Sequence, residues 1–391
     1  MLKNFNYKVL ILLLLFTGCK KTAEDNKGAS HSPHVDLNLP AVYFTDLAKV
    51  GTAQASPLIM SKLIEMVNAT PKTAHIYLSI FGFDHPGLID ALNEASNRGV
   101  FLHLMIDSSI DDTKIQNVLT ISRIRSFLKS GSEIAIVTND VNASSINHNK
   151  FVLFSELNTT KGMLSKVIFQ TSHNFTIEDS RKIQDALVLN SEGLYDSYLT
   201  YWKDVSAKSL FGMKDFYYGE YVGTADNITG YFYPKRRNGV SYGGDTVIEM
   251  LDNISELSTA TIQVGMSDWV VSRINVANKL SELLDRGAKV EVVVKNKIDV
   301  EVQSVLKDMQ RRGATIKIYD ISRTNIHAKF LMINGKYKGE QCKIVATGSH
   351  NFTTNALRNN NETLLVLKNY DDIFNAYSAY YTAMKHLPGI N

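Results

Sequence analysis

The chain has 391 residues, a formal net charge of +3 and two cysteines. A net charge this close to zero does not favour a nucleic-acid-binding protein, since such proteins usually carry a clear basic excess. Two cysteines cannot build a disulfide framework or a zinc site made of cysteines, so neither class of small stapled domain is expected.

Residues 1–18 predict a signal peptide, because a lysine-containing start precedes an apolar run at 9–16 that is too short to span a bilayer as a permanent helix. Gly18 and Cys19 are typical of a lipoprotein cleavage and acylation site. We therefore expect an exported protein that a lipid on Cys19 anchors to a bacterial membrane, in the periplasm or at the cell surface. An ordinary secretory signal or an N-terminal anchor is the alternative, and both also place the protein outside the cytoplasm.

The rest of the chain divides by composition. Residues 19–40 are polar and aperiodic, which predicts a lipidated cysteine followed by a flexible tether. From residue 41 the composition is globular, and the remaining length suffices for two domain-sized units or one large pseudo-symmetric unit. We expect a first repeat at 41–207, a connection at 208–244 and a second repeat at 245–391.

The first repeat alternates predicted helices and strands. Apolar spacing, with glycine after two of the helices, predicts helices over 63–68, 87–98, 112–129 and 194–207. Shorter apolar runs predict strands over 76–83, 100–107, 133–138 and 186–190. A further apolar run from residue 151 predicts a buried strand.

The predicted connection at 208–244 is rich in aromatic residues and contains the basic triplet Lys235–Arg237. The simpler interpretation is a long connection that packs aromatic side chains over the core. The functional interpretation is a cleft wall for a lipid or a stacked base, with the triplet near a phosphate or an anionic membrane. The aromatic residues are Phe211, Phe216, Tyr217, Tyr218, Tyr221, Tyr231, Phe232 and Tyr233.

The second repeat has the same order of elements as the first. It predicts helices over 247–252, 272–286, 300–312 and 370–385, and strands over 260–266, 289–295, 314–319 and 363–367. An apolar run after residue 329 again predicts a buried strand. Such alternation predicts two α/β units, each with a largely parallel sheet covered by helices.

A short polar motif occurs once in each repeat. The first copy comprises His148–Lys150, Ser172–Phe175 and Asp185, and the second comprises His327–Lys329, Ser349–Phe352 and Glu362. On a strand, residues two apart point the same way, so each histidine shares a face with the lysine that follows it. A single His-x-Lys pair would most often be a half-buried histidine beside a solvated lysine. Chance repetition of all three parts is improbable, which favours a functional site.

On these motifs the sequence resembles the phospholipase D superfamily, whose mark is a paired HxKx4D motif followed by a GSxxN or GSxN element. The resemblance spans roughly residues 41–391. It implies an α/β fold of two tandem phospholipase D-like α/β sandwich units in a pseudo-two-fold arrangement. It also implies one active site shared by the two repeats, each of which supplies half.

The resemblance implies that two histidines divide the cleavage of a phosphodiester. By family analogy His148 attacks phosphorus to form a phosphohistidine, and His327 protonates the leaving oxygen and then deprotonates the incoming water or alcohol. Imidazole suits both tasks because its pKa lies near neutrality. Nothing in the sequence itself decides which histidine is the nucleophile.

The remaining candidate site residues follow from the same resemblance. Lysines and asparagines donate hydrogen bonds to the non-bridging oxygens, and four such donors can replace a metal ion, so neither a metal nor another cofactor is expected. The later acid of each copy holds a histidine ring in orientation. These residues are Lys150, Lys329, Asn174 and Asn351 as donors, Ser172 and Ser349 as the serines of the family, and Asp185 and Glu362 as the acids.

The sequence also departs from the family pattern. The aspartate of the HxKx4D motif is replaced by Ser155 in the first copy and by Asn334 in the second. Thr171 replaces the first glycine of the GSxN element. None of these positions is assigned to bond-making. His173 and His350, which the family does not require, are interpreted as turn residues.

The leading functional prediction is a metal-independent phosphodiesterase of phospholipase D type that hydrolyses or transphosphatidylates phospholipids and is active as a monomer. A small phosphate substrate is compatible with the near-neutral charge. The alternatives are an endonuclease for extracellular DNA, a cardiolipin-synthase-like transferase and a catalytically silent phosphate-binding surface protein. Charge disfavours the first, and retention of both His-x-Lys pairs disfavours the last. The expected partners are a phospholipid or other phosphodiester and a membrane, with nucleic acid less favoured.

Overall fold

The computed structural model describes residues 33–138, 145–210, 218–237 and 240–389. The predicted signal peptide, Cys19 and most of the predicted tether lie outside these ranges, as do Phe211, Phe216 and Tyr217 of the predicted connection. The described residues belong to one compact unit. None of the described helices is both long enough and apolar enough to span a bilayer.

The first half is built around a mixed sheet. Its strands are β1 (Ala41–Phe44), β2 (His75–Ile80), β3 (Phe101–Asp107), β4 (Glu133–Val137), β5 (Lys150–Thr159), β6 (Gly162–Thr171) and β7 (Asp185–Asn190). Its helices are α1 (Leu47–Val50), α2 (Leu58–Asn68), α3 (Pro86–Arg98), α4 (Asp111–Arg125) and α5 (Glu192–Leu210), with a 3-10 turn at Glu178–Arg181. Gly99 ends α3 in the left-handed region, with φ 96° and its amide bonded back to Ala95 and Ser96.

The second half repeats this plan with additions. Its strands are β8 (Gly219–Gly223), β9 (Ile228–Tyr233), β10 (Arg236–Arg237), β11 (Val240–Ser241), β12 (Ile254–Ser255), β13 (Thr261–Met266), β14 (Lys289–Lys295), β15 (Thr315–Tyr319), β16 (Lys329–Tyr337), β17 (Glu340–Gly348) and β18 (Glu362–Lys368). Its helices are α6 (Thr246–Asp252), α7 (Ile274–Asp285), α8 (Val300–Arg311), α9 (Thr354–Arg358) and α10 (Asp371–His386), with 3-10 turns at Leu257–Thr259 and Val271–Arg273.

The two sheets have matching strand orders. The first runs β1-β7-β6-β5-β2-β3-β4, and the second, read from its other end, runs β8-β9-β18-β17-β16-β13-β14-β15, with β12 beside β16. Strand β9 therefore occupies in the second sheet the place of β1 in the first. Both β8 and β9 fall in the range that the sequence assigns to a connection, so that segment contributes two strands to the second sheet.

The prediction of largely parallel sheets is wrong. Among the strand pairs of the described residues, only β2–β3 and β3–β4 are parallel in the first sheet, and only β13–β14 and β14–β15 in the second. The sequence analysis does not predict β6 or β17, which form hairpins with the strands before them. Two residues join β16 to β17, and both Lys338 and Gly339 have positive φ, as the tight hairpin turn of antiparallel strands requires.

Apolar side chains form three layers of core. One cluster lies on the outer face of each sheet, and the third combines residues of both halves and therefore lies between the sheets. Helices α5 and α10 supply this middle layer with large aromatic rings, among them Tyr198, Trp202, Tyr377 and Tyr381. The predicted fold of two phospholipase D-like α/β halves in one pseudo-symmetric unit is thereby confirmed.

The end of the predicted tether packs against the first sheet. Val35 and Leu37 are buried in the outer core of the first half. The amide of Val35 donates to Asn158 O at 3.0 Å, and the amide of Thr160 donates to Val35 O at 3.2 Å. The expectation of a flexible tether is therefore wrong for this stretch, because its alternate apolar residues Val35, Leu37 and Leu39 reach the core.

The aromatic residues after β8 pack into the core instead of forming a cleft wall. Phe232 and Tyr233 are buried in the middle and outer cores, respectively. Lys235 is also buried, with its Nζ 5.1 Å from the ring centre of Tyr218 and 3.0 Å from the carbonyl oxygen of Gly244. This placement favours the packing interpretation of the connection over the functional one.

Candidate active site

The two His-x-Lys pairs lie at the start of equivalent central strands. Lys150 opens β5 opposite Ile80, and Lys329 opens β16 opposite Met266. Both lysines are buried. The Nζ of Lys150 donates to His148 O at 2.8 Å, and the Nζ of Lys329 donates to the carbonyl oxygen of His327.

Each histidine is attached to the other half of the molecule through its backbone. The amide of His148 donates to Asn361 O at 2.9 Å, and the amide of Asn361 donates to Ile146 O at 3.0 Å. In the same way the amide of His327 donates to Ile183 O at 2.9 Å, just before β7. The two halves therefore determine the position of each other's histidine.

A carboxylate holds the ring of His148. Its Nδ1 lies 2.9 Å from Glu362 Oε2, and Glu362 is fully buried. The same carboxylate accepts from Ser349 Oγ at 2.5 Å and from Asn360 Nδ2 at 3.2 Å. A carboxylate at Nδ1 requires a proton on that nitrogen, which leaves Nε2 to react. Burial lowers the pKa of His148, and Glu362 opposes this shift.

The ring of His327 has different partners. Its Nδ1 lies 3.1 Å from Ser172 O and 3.2 Å from Gln184 Oε1. The carboxylate of Asp179 is 3.6 Å away. Burial, and after it the charge of Lys329, lowers the pKa of His327 well below its ordinary value.

The prediction that Asp185 holds a histidine ring is wrong. Its Oδ2 accepts from Tyr377 Oη at 2.5 Å and from Thr347 Oγ1, on the face between the sheets. The backbone gives the reason, since Ser172 N donates to Asp185 O and Ser349 N donates to Thr363 O, each at 3.0 Å. Asp185 therefore corresponds to Thr363, and the residue that corresponds to Glu362 is Gln184.

The two serines position the groups that hold the histidines. Both are fully buried. Ser172 Oγ donates to Gln184 Oε1 at 2.9 Å, as Ser349 Oγ does to Glu362. The same hydroxyl oxygens accept from the amides of Asp185 and Thr363 at 3.0 and 3.1 Å. These serines are therefore positioning residues beneath the histidines.

Asn174 and Asn351 are fixed in matching orientations. The Oδ1 of Asn174 accepts from Gly82 N, and that of Asn351 accepts from Asp268 N, both at 3.3 Å. Because each amide oxygen faces a backbone donor, the Nδ2 group is left to donate to a substrate oxygen.

Asp179 is a site residue that the sequence analysis missed. It is buried in the 3-10 turn after the first Ser-His-Asn-Phe motif and accepts from Asn174 N at 2.8 Å and from Lys182 Nζ at 2.5 Å. Burial alone would raise the pKa of Asp179, but His327 and Lys182 hold it well below its usual range. Asn351 is followed at the same spacing by Ala356, so the motif repeat gives no signal for this acid.

The lysines share one positive site. Burial lowers the pKa of Lys150 to about 8. Burial and then the charge of Lys150 lower the pKa of Lys329 to about 7. A third lysine that the sequence analysis missed, Lys295, adds its charge to the same site and has its Nζ 2.9 Å from Asp268 Oδ1.

A cleft of about 570 Å³ opens onto this site. Its described lining is mainly neutral and polar, and it contains one of the two histidines and one of the two asparagines. The lining residues are Phe81, Ile146, His148, Asp268, Val270, Ser272, Asn351, Thr353, Thr354, Asn355 and Asn360. No residue of 218–237 is among them.

The other histidines and the motif departures lie away from the cleft lining. His173 is buried with its Nε2 3.3 Å from Ser180 Oγ, and burial lowers its pKa to about 4. His350 stacks on Tyr233 with 4.6 Å between ring centres. Ser155 Oγ accepts from His75 N at 2.8 Å inside the first sheet, so this position supports the strands. Within the described ranges, no group of three or more His, Cys, Asp or Glu residues could hold a metal ion.

Comparison with known proteins identifies two copies of one domain. Residues 63–202 and 250–385 each match the family model described as "Cardiolipin synthase, PLD-like domain". No curated protein sequence matches the chain at a significant level.

Solved structures share the fold. Phosphatidylserine synthase of Haemophilus influenzae superposes with a TM-score of 0.61 at 10% identity, covering 91% of this chain and 88% of that one. Polyphosphate kinase of Porphyromonas gingivalis superposes with a TM-score of 0.52 at 14% identity, covering 83% of this chain. This chain spans 48% of that kinase. At such identities the likeness establishes the fold and nothing finer.

Proposed function

Because this chain belongs to the phospholipase D superfamily, we propose that it is a metal-independent phosphodiesterase of phospholipase D type. In this proposal it hydrolyses or transphosphatidylates phospholipids through a phosphohistidine. The observation that carries the proposal is the cross-attachment of His148 and His327, which brings each histidine within the field of the other half's lysine. Asp179 contacts both Asn174 and His327, and Asn351 lines the same cleft as His148.

In the first step Nε2 of His148 attacks phosphorus, and the bond from phosphorus to the leaving oxygen breaks. The bound phosphodiester is an anion and favours the charged form of the nearby imidazole, so His327 is protonated in the substrate complex. It gives that proton to the leaving oxygen, and the alcohol leaves neutral. The ring of His148 gains positive charge as the P–N bond forms. The carboxylate of Glu362, 2.9 Å from Nδ1, stabilises that charge, which favours His148 as the nucleophile.

In the second step the roles reverse along the same path. His327 removes a proton from water or an alcohol, whose oxygen attacks phosphorus as the P–N bond breaks. The buried lysines and the Nδ2 groups of Asn174 and Asn351 hold the non-bridging oxygens while negative charge develops on them. Their donors are fixed before the substrate arrives, so little reorganisation is required at the transition state.

Exposed aliphatic side chains around the cleft favour a lipid substrate. Helix α4 exposes Ile115, Val118 and Leu119. The neighbouring Gln116 donates to Asp84 Oδ2 at 2.7 Å and lies beside Gly82, whose amide holds Asn174.

Further exposed aliphatic residues lie on both sides. The amide of the exposed Ile177 donates to the same Asp84 at 3.2 Å. In the second half the cleft residue Val270 is followed by exposed Val271, whose amide bonds Asp299 next to exposed Val300. Apolar rims of this kind suit a bilayer surface better than a polyanion such as DNA.

We further propose that lipid on Cys19 keeps the exported enzyme, active as a monomer, at that surface. If so, Cys19→Ser should release the protein from the membrane fraction or leave its signal uncleaved.

The test compares two substrates side by side. Residues 20–391 are incubated in EDTA with labelled phospholipid vesicles and with plasmid DNA, alongside the variant His148→Ala. We expect the enzyme to release the head-group alcohol and to form phosphatidate in the vesicles, and the variant to do neither. The plasmid should stay intact. Cleavage of the plasmid alone would replace the lipid proposal with an endonuclease. Full loss of turnover in EDTA, restored by a divalent ion, would contradict the metal-independent mechanism.

A further inference from the structure

The two halves of the site differ at one pair of equivalent positions. The backbone amides of Gly82 and Asp268 each donate a hydrogen bond to the side-chain oxygen of a site asparagine, Asn174 and Asn351 respectively, so the two positions are equivalent. Gly82 has no side chain, and a Cβ there would meet Gln116 and Thr176 at 3.3 and 3.4 Å. Asp268 therefore adds a carboxylate to the second half at a position where the equivalent residue of the first half, Gly82, has no side chain.

A second difference supports the first. Asp107 and Lys295 are the last residues of the equivalent strands β3 and β14. The carboxylate of Asp107 is buried and accepts from Ser109 Oγ at 2.8 Å and from Asn147 N at 2.7 Å, which is a structural role. Lys295 instead places its Nζ 2.9 Å from Asp268 Oδ1 and 3.2 Å from Ser267 Oγ.

Asp268 faces the substrate cleft. Its side chain is 40% exposed and lines the cleft together with His148 and Asn351. Oδ1 has Lys295 and Oδ2 has Ser267 Oγ, at 2.9 Å each. A carboxylate has about four lone-pair positions, so acceptor capacity is left on the cleft side. Lys295 and Lys329 outweigh burial and lower the pKa of Asp268, which keeps this acceptor ionised.

The chemistry of the site selects what Asp268 can accept from. A carboxylate beside a phosphate site repels a second anionic group on the substrate. Three lysines near the same point, Lys150, Lys295 and Lys329, disfavour an ammonium group. A hydroxyl donates a hydrogen bond and adds no charge, and it also suits the neutral wall formed by Ser272, Thr353, Thr354 and Asn355.

We propose that Asp268, oriented by Lys295, is a specificity residue that accepts a hydrogen bond from a hydroxyl group on the alcohol part of the phosphodiester. The inference rests on the proposed function and adds to it the class of head group. A hydrogen bond to a charged acceptor typically changes selectivity by tenfold or more.

The test uses three soluble short-chain phosphatidyl esters with identical acyl chains. Their alcohols are ethylene glycol, ethanolamine and propanol, which differ only in a terminal hydroxyl, ammonium or methyl group. For the wild type we expect kcat/KM to be highest for the hydroxyethyl ester, by about tenfold over the propyl ester. In Asp268→Ala the ratio of the two should fall to about one. Asp308→Asn, which alters an acid of α8 that pairs with Arg311 and Arg312 outside the cleft lining, should keep the wild-type ratio.

The double variant Asp268→Ala/Lys295→Met separates the hydrogen bond from an unpaired lysine. If the bond to Asp268 sets the preference, the ratio stays near one in the double variant. A return of the wild-type ratio would show that Asp268 acts only by neutralising Lys295, which would overturn the inference. Equal wild-type cleavage of the three esters, or a preference for the ammonium ester, would overturn it as well. Cleavage of none of them would overturn the proposed function, and with it this inference.

Discussion

His148 of the first repeat is held by Glu362 of the second, with 2.9 Å between Nδ1 and Oε2. The equivalent contact of His327 of the second repeat is with neutral groups of the first. Its Nδ1 faces the side-chain oxygen of Gln184 and the carbonyl oxygen of Ser172. The site is therefore pseudo-symmetric in backbone and asymmetric in charge. The ring of His148 has a carboxylate within hydrogen-bond distance, whereas the ring of His327 has an amide oxygen there and the carboxylate of Asp179 farther off, at 3.6 Å, so the two rings differ in their chemistry.

Glu362→Gln should give both histidines an amide oxygen as the side-chain partner of Nδ1. The amide keeps the shape and an oxygen near Nδ1 of His148 but removes the charge that stabilises the ring as it is phosphorylated. We expect kcat/KM for a phosphodiester to fall by about 10- to 100-fold, as loss of such supporting partners typically causes. The matched variant Gln184→Glu adds a carboxylate at His327 and should be impaired less. Equal activity of Glu362→Gln and the wild type would show that the carboxylate has no part in turnover.

Lys329 should set an alkaline limit to activity. Because burial and Lys150 lower the pKa of Lys329 to about 7, this lysine loses its proton, and with it its charge, as the pH rises through that value. The phosphate site then loses positive charge, so we expect kcat/KM to decline above about pH 7 in the free enzyme. Lys329→Arg should lower kcat/KM but move this decline to higher pH, since a guanidinium stays ionised. An unchanged alkaline limb in Lys329→Arg would assign it to another group.

Asp179 should contribute stability that depends on pH. Its folded-state pKa lies below the ordinary value near 4, so its charged form stabilises the fold above that pH and the contribution is lost as the pH falls through the range below it. Asp179→Asn should lower the free energy of unfolding by about 2 kcal/mol at pH 7, from loss of the bonds to Lys182 and Asn174. Urea unfolding at pH 7 and pH 3 checks this, and the difference between the proteins should shrink at pH 3. A difference that is the same at both pH values would mean that the effect is not ionic.

Most elements of the fold could be predicted from the sequence, because periodicity and glycine signals are local. The strand over 289–295 and the helix over 300–312, for example, lie within one residue of β14 and α8. The strands β6 and β17 were harder to predict from the sequence. No helix separates them from the strands before them, so no helical pattern marks where one strand ends and the next begins. The basic triplet and the aromatics gave no signal of their position relative to the cleft.

The site was predictable only where it repeats. His148, His327 and their lysines share a pattern in both copies, and the structure places them together. Asp185 was assigned to the site in place of its neighbour Gln184 because an acid was expected there. A shift of one residue along extended chain moves the side chain to the opposite face, so Asp185 points away from the histidine. Asp179, Asp268 and Lys295 have no counterpart in the other repeat, so only the folded arrangement brings them to the site.

Isolated halves should be inactive. The backbone hydrogen bonds from His148 N to Asn361 O and from His327 N to Ile183 O can form only when both halves are present. We expect residues 33–210 and residues 218–389 to lack phosphodiesterase activity when assayed separately. Activity should appear, if at all, only when the two are mixed. Robust activity of residues 33–210 at dilutions that prevent dimerisation would contradict a shared site.

The two histidines can be told apart with a substrate whose leaving group needs no proton. p-Nitrophenol leaves as the phenolate, so His327→Ala should still permit attack by His148 on a p-nitrophenyl phosphodiester. No base then remains to activate water, and phosphohistidine should accumulate on His148. Mass spectrometry after an alkaline quench, in which phosphohistidine survives, locates the adduct, and one equivalent of p-nitrophenol per enzyme should be released in a burst.

His148→Ala is the matched variant, and it should give neither burst nor adduct, because the nucleophile itself is missing. An adduct on His327 in this background would reverse the two roles and would assign to Glu362 the support of a general acid. Glu362→Gln gives a second test of that outcome. If His148 were the general acid, this variant would slow cleavage of an ester with a poor leaving alcohol more than cleavage of the p-nitrophenyl ester. If neither variant forms an adduct, and Ser172→Ala or Ser349→Ala abolishes turnover, the nucleophile is another group and the mechanism proposed for both repeats is wrong.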